Sequence, residues 1–265
     1  VRGATEVLST NSTAAEATNA DTLTAFESDG FALGDDVIVN TNAESYVAWQ
    51  WNEGATPGFD IVSYSGTGAN RTVAHNLGVK PGMFIIKQRG AASTNWGVYH
   101  SAVGATKSLF LQSTGAAVDS AEYFNDTEPT ASVFTLGTNA QGNADGGTYI
   151  AYVFAPVEGF SAFGSYEGNG STNGPMVNLG FRPAFVMMKS VDSTSSWYIF
   201  DGKREGYNVD NDALVADATT VEATANAVDL LSNGFKLRIA TDPNVAETFI
   251  YAAFAENPFK TANAR

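Results

Sequence analysis

The sequence contains no cysteine, which removes a disulfide framework, a thiolate metal site and a cysteine nucleophile together. Imidazole is nearly as scarce. His75 and His100 are the only histidines, and no Gly-x-Ser-x-Gly elbow accompanies them, so a serine triad has no visible seat. Positive charge is short as well: 14 Lys and Arg stand against 28 Asp and Glu, a formal charge of −14. The carboxylates are scattered rather than gathered, which argues against a phosphate-tracking surface and against nucleic acid as a partner. No run approaches the ~18 consecutive apolar residues that span a bilayer as a helix. The first residues carry neither a basic nor an apolar leader pattern, and no membrane insertion is expected.

Cofactor signatures are missing too. Gly66-Thr67-Gly68 and Gly168-Asn169-Gly170 precede neither a P-loop lysine nor a dinucleotide fingerprint and are expected to be hairpin turns. Asp35-Asp36, and Asp210 with Asp212, follow no EF-hand spacing and read as solvated loops. No cofactor and no metal site is expected.

What the chain does have is apolar and aromatic material, 44% and 12% of its residues, with only 16% charged. Val, Phe, Tyr and Ile supply the apolar set and Gly, Ser, Thr and Asn the rest, a balance of short strands and many turns. It also repeats itself at a period of roughly 100 residues. Leu77-Gly78-Val79-Lys80-Pro81 returns as Leu179-Gly180-Phe181-Arg182-Pro183. Lys87 falls in register with Lys189, and Trp96 with Trp197.

A second element occurs three times, at Gly30-Phe31-Ala32-Leu33, Val133-Phe134-Thr135-Leu136 and Gly234-Phe235-Lys236-Leu237. Each copy is followed, after a polar loop, by Tyr46-Val47-Ala48-Trp49-Gln50-Trp51, Tyr149-Ile150-Ala151-Tyr152-Val153-Phe154 or Phe249-Ile250-Tyr251-Ala252-Ala253-Phe254. These runs are apolar at odd and even positions alike, the pattern of strands buried on both faces. The chain therefore opens in mid-module. Residues 1–57 are the back half of one copy, 58–158 a complete module, and 159–265 a second complete module with a short tail. The front strands of the first copy are expected from sequence upstream, from another subunit, or from packing against the next module.

Within a module, strands are predicted near 59–64, 72–75, 83–88, 96–100, 108–112, 133–136 and 148–154. The fold class is all-β, tandem antiparallel β-sandwich modules, with jelly-roll-like and immunoglobulin-like connectivity both open. The Ala-rich stretches 13–26 and 218–231 could hold a helical turn. In Leu-Gly-x-x-Pro the glycine suits a positive φ at a strand end, and the proline sets φ for the next strand.

Aromatic side chains beside polar loops give the candidate ligand-binding residues: Trp96, Tyr99, His100 and Trp197. Trp96 and Trp197 occupy one equivalent position, which favours core packing over a sugar-stacking platform. The loop tips 66–71, 90–95, 138–147, 169–174 and 190–196 differ between copies and are better places for recognition. No acidic or imidazole position is shared by the modules, so no catalytic residue is expected.

Several of these features together resemble a repeated module at the C-terminal ends of marine bacteriophage tail-fibre proteins. They are Gly58-Phe59 with Tyr64, His75 before Leu77-Gly78-Val79-Lys80-Pro81, Trp96 with Tyr99-His100, and the closing Ala253-Phe254-Ala255-Glu256-Asn257-Pro258-Phe259. The resemblance covers essentially the whole chain. It implies a non-enzymatic virion structural protein, extracellular on the tail and contributing to host-surface recognition. It also implies a homo-oligomer, with a trimer favoured, and contacts with other virion tail proteins and a host surface glycan or protein. A capsid decoration protein, or a secreted carbohydrate-binding adhesin or lectin, is the alternative.

Overall fold

The computed structural model describes residues 2–204, 208, 212–224 and 226–255. The first copy contributes β1 (Glu6–Val7), β2 (Ala17–Thr18), β3 (Leu23–Phe26), β4 (Phe31–Leu33) and the one-turn helix α1 (Val37–Asn40). The first complete module runs β5 (Phe59–Ser65), β6 (Arg71–Ala74), β7 (Met83–Gln88), β8 (Gly97–His100), β9 (Lys107–Phe110) and β10 (Val118–Asp119). It ends with α2 (Ala121–Phe124), β11 (Val133–Leu136), α3 (Ala140–Asn143) and β12 (Thr148–Phe154). The second runs β13 (Ser161–Glu167), β14 (Met176–Asn178), β15 (Pro183–Ser190), β16 (Tyr198–Asp201) and β17 (Asp212–Val215). It closes with β18 (Ala223–Thr224), β19 (Val228–Leu231), β20 (Gly234–Leu237) and β21 (Thr248–Ala255).

Each complete module has one six-stranded antiparallel sheet. The orders β10-β9-β8-β7-β12-β5 and β18-β17-β16-β15-β21-β13 are the same order of equivalent strands. A smaller sheet, β6-β11 in one module and β14-β20-β19 in the other, completes the sandwich. The connectivity left open by the sequence is a meander, β7 to β10, into whose free side the last strand returns, between β7 and the edge strand β5. The first copy shows only the small pairs β1-β2 and β3-β4.

The period-2 geometry of a strand explains why the central strands are apolar throughout. In β12, Tyr149, Ala151 and Val153 point into the module's own core, with Phe84, Ile86, Phe134 and Leu136. The alternate residues Tyr152 and Phe154 point the other way, into a core shared with Phe185, Met187, Ile250, Ala252 and Phe254 of the second module. β21 does the same, with Phe249 and Ala253 in its own core. The two large sheets are thus packed against each other through the faces that ordinary sandwiches leave to solvent.

Three expectations change. The Ala-rich stretches carry short strands, β2 with β3 and β18 with β19, where a helical turn was expected; the interrupting Thr, Asn and Asp residues do not support a helix. Gly66-Thr67-Gly68 is not a hairpin turn, because β5 and β6 belong to different sheets. A Cβ at Gly66 would strike the Ala144 carbonyl oxygen, so the glycine serves close approach of two chain segments. The short helices α2 and α3 had no counterpart in the strand pattern. In the Leu-Gly-x-x-Pro turns the glycine φ angles are +70° at Gly78 and +76° at Gly180, as turn chemistry requires.

Candidate functional site

Between one copy and the next, the same hydrogen bonds are made twice. The Glu16 amide donates to Arg89 O at 2.9 Å and the Thr94 amide to Thr13 O at 3.3 Å. One module on, the Ala117 amide donates to Val191 O at 3.0 Å and the Ser195 amide to Thr114 O at 2.9 Å. A segment of each copy thus grips the loop before the recurring tryptophan of its successor. The first seam has an ionic pin as well. Glu16 accepts from Arg89 Nε at 2.8 Å and from Arg2 at 3.0 Å. Burial pushes its carboxyl up, but the two guanidinium groups outweigh it and hold the group below its usual range.

The four candidate residues are all placed in these seams or in a core, not at exposed loop tips. Trp96 donates from Nε1 to Ser9 O at 3.1 Å and Ser12 O at 3.0 Å, across the first seam. Trp197 donates to Phe110 O at 2.9 Å, across the second. Tyr99 is buried and donates to Glu128 Oε2 at 2.6 Å. His100 accepts the Ala102 amide on Nδ1, which leaves Nε2 to donate to Tyr251 O, 3.0 Å away in the next module. Burial pushes its imidazole down to about 4. None of the four offers a ring face to a ligand. The loops 90–95 and 190–196 are likewise held by the preceding copy, so of the variable tips these two are not free.

The recurring lysines lie on the same side. Lys87 is fully buried and donates to Thr94 O at 2.8 Å and Thr13 O at 3.2 Å. Lys189 donates to Ser190 O at 2.7 Å, and burial brings its amine down to about 8 against the opposing pull of nearby carboxylates. Lys87 thereby ties its own loop to the preceding copy through Thr13 O, while Lys189 satisfies carbonyls of its own loop only.

At the centre of the molecule, Trp51, Phe154 and Phe254 occupy one equivalent position in the three copies, and their rings form a triangle. The centroid distances are 6.0, 5.5 and 5.8 Å, each pair edge-on. Thr10 Oγ1 donates to Ala216 O at 2.9 Å, linking the first copy to the last. The copies are therefore arranged around a pseudo-threefold axis, and a near-equilateral aromatic cluster marks it.

One recurring polar residue escaped the sequence comparison. Asn143 is buried, donates to Ala69 O at 2.7 Å and Gly137 O at 2.8 Å, and accepts the Thr67 amide at 2.9 Å. Asn244 does the same with Ser171 O, Ile239 O and the Asn169 amide. These asparagines fasten the loops 66–71 and 169–174 at the free end of each module. Asn40 holds the matching place in the first copy, and among the described residues its side chain makes only the bond to Gly34 O, at 2.7 Å. The signal was an Asn seven residues after the Leu of each Phe-x-Leu strand.

The first copy also bares an apolar face. Tyr46 is 51% exposed where its counterparts Tyr149 and Phe249 are 1% and 0% exposed, and Leu33 is 41% exposed against 1% and 0% for Leu136 and Leu237. Phe26, Val37 and Ile38 are exposed beside them. A groove of about 1030 Å³ runs along 47–53 and is floored by Phe160, Phe185 and Phe254. Among the described residues no group of three His, Asp or Glu side chains could hold a metal ion, and no helix is long and apolar enough to cross a membrane.

These features define an all-β protein of repeated sandwich modules whose recurring polar residues fasten the joints between copies and the loops within them. Residues 1–258 match the family model described as "Domain of unknown function (DUF7483)", and the chain belongs to that family. No curated protein and no solved structure matches it.

Proposed function

We propose that the chain is a non-enzymatic virion structural protein, a bacteriophage tail-fibre appendage whose fused modules make a rigid body and whose free loops meet the host surface. The observation that carries this reading is the division of labour between shared and variable residues. Tryptophan, lysine and asparagine recur where copies or loops are fastened, while the loops they present differ in sequence and length. A common scaffold with variable tips suits recognition, and repeated weak contacts on one body gain avidity. The paired loops 66–71 with 138–147, and 169–174 with 240–247, are the proposed contact points for a host glycan or protein. The same proposal takes in a homo-oligomer, trimeric by resemblance, together with neighbouring tail proteins.

The test is antibody labelling of intact virions in the electron microscope. Label along the tail is expected; label on the capsid alone would replace this reading with a decoration protein. Exchanging loop 169–174 for loop 66–71 is expected to reduce adsorption to host cells by about tenfold or more, the loss of one arm of a multivalent contact. The melting temperature should stay within about 2 °C if Asn244 keeps its three partners.

A further inference from the structure

Segment 46–52 is a central strand without its sheet. Its odd residues Val47, Trp49 and Trp51 are partly buried, the two tryptophans against the shared core, and its even residues stand exposed. The counterparts of those even residues, Tyr149, Ala151 and Val153, lie in a module's own core. β12 is hydrogen-bonded along its length to β5 on one side and β7 on the other, and β21 is paired in the same way with β13 and β15. Among the described residues, segment 46–52 has neither neighbour. The rest of the first copy nevertheless keeps the module's geometry: Gly34 donates to Thr22 O at 2.7 Å as Gly137 does to Tyr123 O at 2.8 Å.

We infer that this open face is the seat of a third front half-module, a segment of the same chemistry as residues 58–103. Its two apolar strands would flank 46–52, and its Gly-rich loop would accept the idle bonds of Asn40. Everything such a segment needs is displayed twice in the same molecule. Leu33, Tyr46 and Asn40 are bare only in the copy that lacks a front half. Trp49 Nε1 is buried with no hydrogen-bond partner among the described residues. The front halves at 58–103 and 159–204 are already spent on their own modules, so a second copy of this chain offers no free one. The occupant is a further front half-module with the chemistry of residues 58–103, additional to the two already in use. The inference is independent of the host-recognition reading.

The experiment appends a second copy of residues 58–103 ahead of residue 1 through a Gly-Ser linker and follows amide hydrogen exchange. A sister chain carries Phe84→Asp and Ile86→Asp in the appended copy alone, which leaves the segment present but unable to fill a core. Expected is a rise of about 100-fold or more in protection at 46–52 with the intact segment and none with the sister, since paired and buried strands exchange by far the slowest. Fast exchange at 46–52 in both chains would overturn the inference. So would 46–52 being protected in the unmodified chain together with a dimer in sedimentation, which would put a second copy in the seat.

Discussion

Asn143 and Asn40 are the same residue in two settings, and the contrast isolates what a buried side-chain amide contributes. Replacing Asn143, itself buried, with Ala would take away the side-chain partner of Ala69 O, Gly137 O and the Thr67 amide, a loss of about 1–3 kcal/mol. Asn40→Ala, which forfeits one exposed bond, should cost under about 1 kcal/mol. Urea unfolding of the two variants checks the difference, and equal costs would contradict the pinning role. His100 gives a second test at this scale. Its folded imidazole titrates at about 4 against an ordinary 6.5 because it is buried, so between those values the unfolded chain binds a proton that the folded chain refuses. The stability it contributes is whole above pH 6.5 and is lost as pH falls toward 4, about 3 kcal/mol over the window. The His100→Asn variant should show a correspondingly flatter fall of stability with acid than the parent, measured by denaturant midpoints across that range.

At the scale of elements, strands with identical patterns fare differently according to what flanks them. β12 and β21 are paired on both edges and covered on both faces, and their amides should exchange orders of magnitude more slowly than those of 46–52. Mass spectrometry of exchanged peptides reads this directly. The sequence carried the strands well, because alternation and turn residues are local: β5, β7, β11 and β12 fall within a residue or two of the pattern. It also showed that central strands were buried on both sides. It could not say that the second face meets the neighbouring module, since apolarity does not record what covers it. For the same reason the sequence favoured a core for Trp96 and Trp197 over a sugar platform without showing which residues they meet. Their indole donors reach carbonyls in another copy of the repeat, and periodicity holds no trace of such partners. The pins at Asn143 and Asn244 were overlooked because a single polar residue in a polar loop has no pattern of its own; comparison of all three copies would have exposed it.

At the scale of the whole molecule, the shared core decides how the modules lose structure. Repeat proteins whose units touch weakly unfold unit by unit, and their stability is nearly a sum of parts. Here Phe154 and Met83 of one module, Phe185 and Phe254 of the next, and Trp51 of the first copy belong to a single apolar cluster. Neither large sheet can leave without exposing the inner face of the other. The chain is therefore expected to melt in one calorimetric transition, with van't Hoff and calorimetric enthalpies in agreement. Phe185→Ala, a truncation on the shared face of the second module, should cost about 3–5 kcal/mol and lower the midpoint of both modules together. Hydrogen exchange distinguishes the outcomes: β12 and β21 should lose protection by the same factor in the variant, even though the substitution lies in one module alone. Retained protection in β12 with loss confined to β21 would mean that the seam is a contact between independent units rather than a common core.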